Sequence, residues 1–241
     1  MTIGKAGILW KLDRVTGKFL DAKQTVFQNV YNGIDMKTGR LSFRPDVLVQ
    51  KTNTWISSCP SAAGGHDWPP TSYDQKNDLM IIPLDQSCNM MLGHDVAQHT
   101  GVVQPEGEEK VFFMPGTEGN LGRLAAYRPA TMEPVWSFQQ RSPFLTGVLS
   151  TDGNVSFVGD YDRVFRAVET TTGKTLWTVR LPTVVQGNPV AFAVDGKQYV
   201  AITTGLGGGS PFSKPSSMLG EVHHPDHGHA VYVFALPDKM N

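Results

Sequence analysis

Three features of this 241-residue chain have residue types and spacings able to do chemistry. The segment Glu221 to His229, EVHHPDHGH, places four histidines and two acids within nine residues. Such a density of imidazole and carboxylate can ligate a transition metal. No helical or strand period aligns these donors, however, and the segment reads as a solvated polar loop. The second feature is the cysteine pair, Cys59 and Cys88. Two cysteines cannot build a four-cysteine zinc site, and no C-x-x-C-H motif is present to attach haem. They either form one disulfide in an oxidising compartment or stay as two buried thiols, and both readings remain open. The third feature is a pair of long irregular segments, Ser57 to Tyr73 and Gly205 to His229, rich in Gly, Pro and Ser. Long loops on a β scaffold are where binding and catalytic residues concentrate.

The elements that must position these segments are strands. Glycine (25) and proline (16) together make about 17% of the chain, against an average near 12%. That excess implies many turns and many short strands. Strand-like runs occur at Ile8 to Leu12, Lys110 to Met114, Asn154 to Gly159 and Gln198 to Thr204, and Asp-Gly turns at 152–153 and 195–196 lead into the last two. A hairpin unit repeats. It is clearest at Phe165 to Val179, FRAVETTTGKTLWTV, and returns at Leu124 to Phe138, LAAYRPATMEPVWSF, so that Trp136 and Trp177 stand in equivalent places. Leu9 to Lys23 repeats the frame with Asp21 in place of tryptophan, and Val231 to Asp238 repeats its first half. In two copies a Thr-Gly pair supplies the positive φ of the turn. Units of about 40 residues that cannot bury both faces alone stack radially as propeller blades, with the tryptophans docking one blade on the next. The fold expected is all-β, a single partial propeller domain over residues 1–241.

Composition excludes several functions. A net charge of −1 gives no electrostatic case for nucleic acid or an anionic membrane. No run approaches the ~18 apolar residues of a membrane helix. The N-terminus, MTIGKAGILWKLDR, lacks a secretory signal pattern.

Five segments, in order, resemble the C-terminal half of the pyrroloquinoline-quinone (PQQ)-dependent alcohol dehydrogenases, an eight-bladed propeller family. They are KAGILWKLDRVTGKF (Lys5 to Phe19), GGHDWPPTSYD (Gly64 to Asp74), Thr146 to Trp177, DGKQYVAITTGLGGG (Asp195 to Gly209) and GHAVYVFALPD (Gly228 to Asp238). The resemblance implies about four of the eight blades. It implies oxidation of a small alcohol by hydride transfer to the quinone, with a cytochrome c or a quinone as electron acceptor and a periplasmic location. Calcium or a lanthanide would belong to the complete protein. The family's catalytic aspartate and metal ligands would lie upstream of Lys5, so the expectation is a chain incomplete without an N-terminal propeller half. A non-catalytic propeller scaffold is the competing expectation.

The same resemblance assigns cofactor contacts. Lys5 matches a basic residue at the quinone's redox-active edge, where a fixed cation stabilises negative charge arriving on an oxygen. Asp67 and Trp68 match a polar–aromatic pair at the cofactor, although asparagine stands at the Asp67 position in several members and lysine usually stands where this chain has His66. Leu206 and Gly207 match a last-blade loop in which glycine lets backbone approach a flat ligand.

Overall fold

The computed structural model describes residues 1–94, 107–205, 207, 213, 217–225 and 227–236. The described strands are short and almost all antiparallel to their neighbours. In the first third of the chain they are Thr2–Ile3 (β1), Ile8–Leu12 (β2), Phe19–Gln24 (β3), Tyr31–Ile34 (β4), Leu41–Phe43 (β5) and Trp55–Ser58 (β6). A four-residue helix, Pro45–Leu48 (α1), precedes β6. Then come Ser72–Asp74 (β7), Leu79–Asp85 (β8), Ser87–Gly93 (β9), Gly107–Phe113 (β10), Gly122–Tyr127 (β11) and Pro134–Gln140 (β12). The remainder are Leu149–Thr151 (β13), Val155–Gly159 (β14), Val164–Glu169 (β15), Thr175–Arg180 (β16), Val190–Val194 (β17), Lys197–Thr204 (β18) and Ala230–Ala235 (β19).

Two compact units result. The first, Met1–His66 with Asp85–Gly119, holds the sheet β1-β2-β3, the ribbon β4-β5 and the sheet β10-β9-β6. The second, Asp67–Leu84 with Asn120–Asn241, holds the sheets β12-β11-β8-β7, β13-β14-β15-β16 and β17-β18-β19. Successive strands are mostly joined by hairpins, as the repeat frame requires. Gly17 and Gly173 of the Thr-Gly turns have φ of +70° and +72°, a region that only glycine enters without steric cost. Each turn is braced from its own start. Asp13 accepts from the amides of Val15 and Thr16 and from the Thr16 hydroxyl, and these bonds hold its carboxyl below the usual range. Asp35, Thr38 and Gly39 repeat that brace between β4 and β5. The Asp195-Gly196 turn has both residues at positive φ. At 152–154 the left-handed residue is Asn154, not Gly153, so that turn is one residue longer than an Asp-Gly hairpin.

The second unit buries its apolar residues between consecutive sheets. One cluster joins Leu79, Ile81, Leu124 and Ala126 to Phe144, Val148, Val158 and Val168. The next joins Phe165, Leu181 and Val185 to Val200 and Ile202, with Tyr232 and Phe234 closing it. The outer face of β17-β18-β19 is apolar as well: Val190, Phe192, Val194, Val231 and Val233 are exposed. Trp136 docks as the repeat implies. Its indole N–H donates to the Thr170 carbonyl at 2.9 Å, and its ring lies against Gly173, where a Cβ would come within 2.5 Å of Cε3. Trp177 packs edge-on to Phe165 and Phe234, the latter on β19 with ring centroids 5.2 Å apart, but stays 39% exposed.

A buried polar cluster also ties sheets of this unit together. Arg166 on β15 pairs with Asp160 and donates to Gln140 Oε1 on β12 at 2.5 Å, while Gln140 donates back to Asp160 Oδ2 at 3.0 Å. Burial pushes the Asp160 carboxyl up from its ordinary range, and Arg166 pulls it back. Burial draws the Arg166 guanidinium down in turn.

Candidate functional site

In the first unit, Lys5 sits in the tight turn between β1 and β2, closed by the Gly7 amide donating to the Gly4 carbonyl at 2.8 Å. The turn is clamped onto the segment 62–65. The Lys5 carbonyl accepts from the Gly65 amide at 2.7 Å, and Lys5 Nζ donates to the Ala62 carbonyl at 2.7 Å. A side chain at Gly64 would meet the Lys5 Cα and Cγ at 2.9 Å, and one at Gly65 would meet Val26 Cγ2 at 2.5 Å and the Gly7 Cα at 3.0 Å, so each glycine answers to its own close approach. Behind it, the Ser61 amide donates to the Ser87 carbonyl, and the two hydroxyls share a 2.8 Å bond. Cys59 is disulfide-bonded to Cys88 with Cα atoms 4.4 Å apart, which closes the open question of the thiols. Lys5 is therefore an exposed cation on an immobilised backbone. His66, next along, is buried.

In the second unit, Asp67 is half-buried and Trp68 is 63% exposed. Two residues on, Pro70 accepts from the Val148 amide at 3.1 Å. A side chain at Gly147 would strike Pro70 Cγ at 2.7 Å and Asn188 Oδ1 at 2.8 Å. The Gly147 amide donates to Asn188 Oδ1 at 3.2 Å. Across a β-bridge between Thr146 and Gly187 the chain reaches Gln186, whose Oε1 accepts from the Gly207 amide at 3.0 Å. A Cβ at Gly207 would lie 2.2 Å from that oxygen, so a larger residue there would displace the Gln186 amide. The Asp67–Trp68 loop and Gly207 are thus linked along one rim of the second unit through Gly147, Asn188 and Gln186. Leu206 lies outside the described residues. Gln186 and Asn188 were not among the residues singled out from sequence. The signal available was the repeat of Thr146-Gly147 as Gln186-Gly187-Asn188, forty residues on.

The histidine-rich segment is tied down rather than poised. Glu221 pairs with Arg141 at 2.8 Å, which holds its carboxyl low, and His224 Nε2 lies 2.8 Å from the Tyr161 carbonyl oxygen. Among the described residues, no group of three or more His, Cys, Asp or Glu side chains is placed to hold a metal.

These features match known proteins. The family model described as glucose/ethanol/alcohol dehydrogenase, beta-propeller domain, matches residues 117–200. The dehydrogenase subunit of the quinone alcohol dehydrogenase of Acetobacter aceti is 30% identical over 224 residues, covering 87% of this chain and 30% of the relative. Subunit 1 of the cytochrome c methanol dehydrogenase of Methylobacterium organophilum is 29% identical, covering 97% of this chain and 40% of the relative. The structure of a europium-containing methanol dehydrogenase superposes with a TM-score of 0.83 at 27% identity, over 96% of this chain and 44% of that one. This chain is a relative of the PQQ-dependent alcohol dehydrogenases. It spans about a third of the length of the curated relatives it matches.

The quinoprotein relationship can be tested against the donor set. PQQ is a flat polycarboxylate quinone, and such a ligand calls for a cation, amide donors, an aromatic surface and close backbone. The chain offers the Lys5 ammonium in the first unit. In the second it offers the Asn188 and Gln186 amides, the Trp68 ring and the backbone at Gly207. These residue types fit the cofactor. The Asp67 carboxylate fits it less well, since two anions repel unless a cation intervenes.

Proposed function

We propose that this chain contributes part of a PQQ-dependent alcohol dehydrogenase, residues 1–241 belonging to one partial propeller domain. The observation that carries the proposal is the 0.83 TM-score match over 96% of the chain to a europium-containing methanol dehydrogenase. The bound quinone would supply an acceptor for the hydride of the alcohol carbon. The chain's residues bind and orient around it. Lys5 would hold a positive charge beside a quinone oxygen, and its clamped backbone leaves little reorganisation for it to undergo. Trp68 offers a ring face, Asp67 a hydrogen-bond acceptor, and Leu206 and Gly207 a loop for the quinone's rim. The catalytic aspartate and the calcium or lanthanide belong to a part of the enzyme outside these residues, an N-terminal propeller half. The substrate is a small alcohol, and electrons leave to a cytochrome c or a quinone. A disulfide between Cys59 and Cys88 favours an oxidising compartment, which supports a periplasmic location.

The test is a titration of the chain with PQQ, with calcium or lanthanum present, followed by tryptophan fluorescence and quinone absorbance. Saturable binding is expected, and Lys5→Ala weakens it about tenfold, the worth of one hydrogen bond to a charged group. Supplying the first half of the propeller from a relative restores alcohol-dependent dye reduction. Absence of saturable binding together with absence of dye reduction would leave a non-catalytic scaffold as the function.

A further inference from the structure

We infer that Gln186 and Asn188 are ligand-contacting residues, whose side-chain NH2 groups donate hydrogen bonds to carbonyl or carboxylate oxygens of the quinone. The inference rests on the quinone reading and adds two residues to it. The orientation of both amides is fixed by backbone. Asn188 Oδ1 accepts from the Gly147 amide at 3.2 Å, and Gln186 Oε1 accepts from the Gly207 amide at 3.0 Å. A backbone N–H can only donate, so each side chain must turn its oxygen inward and its NH2 outward. Among the described residues neither NH2 group meets an acceptor. Asn188 is exposed and Gln186 half-buried, so both can be reached. The segment between β16 and β17 that carries them is itself held: the Thr203 hydroxyl donates to the Gln186 carbonyl at 2.8 Å, and Gly187 bridges to Thr146.

The result is two outward donor pairs on one braced segment. They stand on the rim that runs from Pro70, two residues after Trp68, to Gly207. A neutral donor pair of this kind suits an anionic or carbonyl-rich ligand. It adds no charge that must be desolvated, and little side-chain freedom is left to lose on binding. Ordinary surface amides lack this property because their rotamers are not fixed by backbone N–H groups on other loops.

Two isosteric variants separate a ligand role from a structural one. Gln186→Glu and Asn188→Asp keep an oxygen for the glycine amide but replace the donors with negative charge. In titrations of the chain with PQQ, each variant is expected to bind about tenfold more weakly at low salt. The difference narrows at high salt, as screening requires, and the melting temperatures stay close to that of the unmutated chain. In the unmutated chain labelled with 15N, the side-chain NH2 signals of Gln186 and Asn188 shift along the titration, a readout that needs no variant to fold. Unmoved NH2 signals while PQQ saturates the tryptophan signal, or carboxylate variants that bind as well as the original, would overturn the assignment and leave the quinone reading standing. An unmutated chain without saturable PQQ binding, and without dye reduction when the first half of the propeller is supplied, would overturn both.

Discussion

Replacing Gly173 by alanine tests the docking of Trp136 directly, and Gly196→Ala supplies the reference within the same unit. Both glycines have nearly the same backbone, φ of +72° and +77°. Alanine in that region costs about 1–2 kcal/mol at either place, and the gain from a stiffer unfolded chain is common to both. The surroundings differ. Around Gly196 a Cβ would meet nothing within 4 Å, whereas at Gly173 it would stand 2.5, 2.7 and 2.9 Å from three ring carbons of Trp136. The ring must retreat by about 1 Å to restore ordinary contact, since non-bonded carbons sit ~3.5–4.0 Å apart. Retreat weakens the 2.9 Å bond from the indole to the Thr170 carbonyl, worth about 1 kcal/mol. The overpacked interface adds about 1–3 kcal/mol. Gly173→Ala should therefore destabilise by about 2–4 kcal/mol more than Gly196→Ala. Urea unfolding followed by circular dichroism measures the difference, and tryptophan emission reports the displaced ring. Losses equal within ~0.5 kcal/mol, the scatter of surface substitutions, would show that the tryptophan does not hold these sheets together.

Reducing the Cys59–Cys88 bond, which spans 29 residues, should lower stability by about 3–4 kcal/mol on loop-closure grounds; a urea midpoint unchanged by reductant would contradict this. Arg166→Ala strands the 2%-exposed Asp160 side chain and should cost about 3–5 kcal/mol. The double variant Asp160→Asn, Arg166→Met should recover much of that loss, and no recovery would show that the pair is not acting as a unit.

The local half of the fold could be read from the residues. The Thr-Gly turns at Gly17 and Gly173 needed only a positive φ, and the alternating strands beside them only a period of two. The turn Asp35 to Gly39 uses the same brace, yet its flanking strands β4 and β5 form only a short two-stranded ribbon, which the longer hairpin frame does not describe. The pairing of β6 with β9 was not legible, because the strands between them join another sheet and no local period reports that. The candidate site divides the same way. Lys5, Asp67 and Trp68 stood in recognisable motifs. Gln186 and Asn188 looked like ordinary turn residues, since their meaning lies in partners 21 and 41 positions away.

That interleaving also bears on synthesis. Among the described strands β6 pairs only with β9, while β7 and β8, made in between, belong to the sheet completed by β11 and β12. At about 5–20 residues per second of translation, Ser58 at the end of β6 appears roughly 1.5–6 s before Ser87 at the start of β9. Cys59 waits the same interval for Cys88. Neither sheet can be finished and set aside before the other begins, so the nascent chain must carry an unpaired strand and a reduced thiol side by side until one later segment arrives to satisfy both.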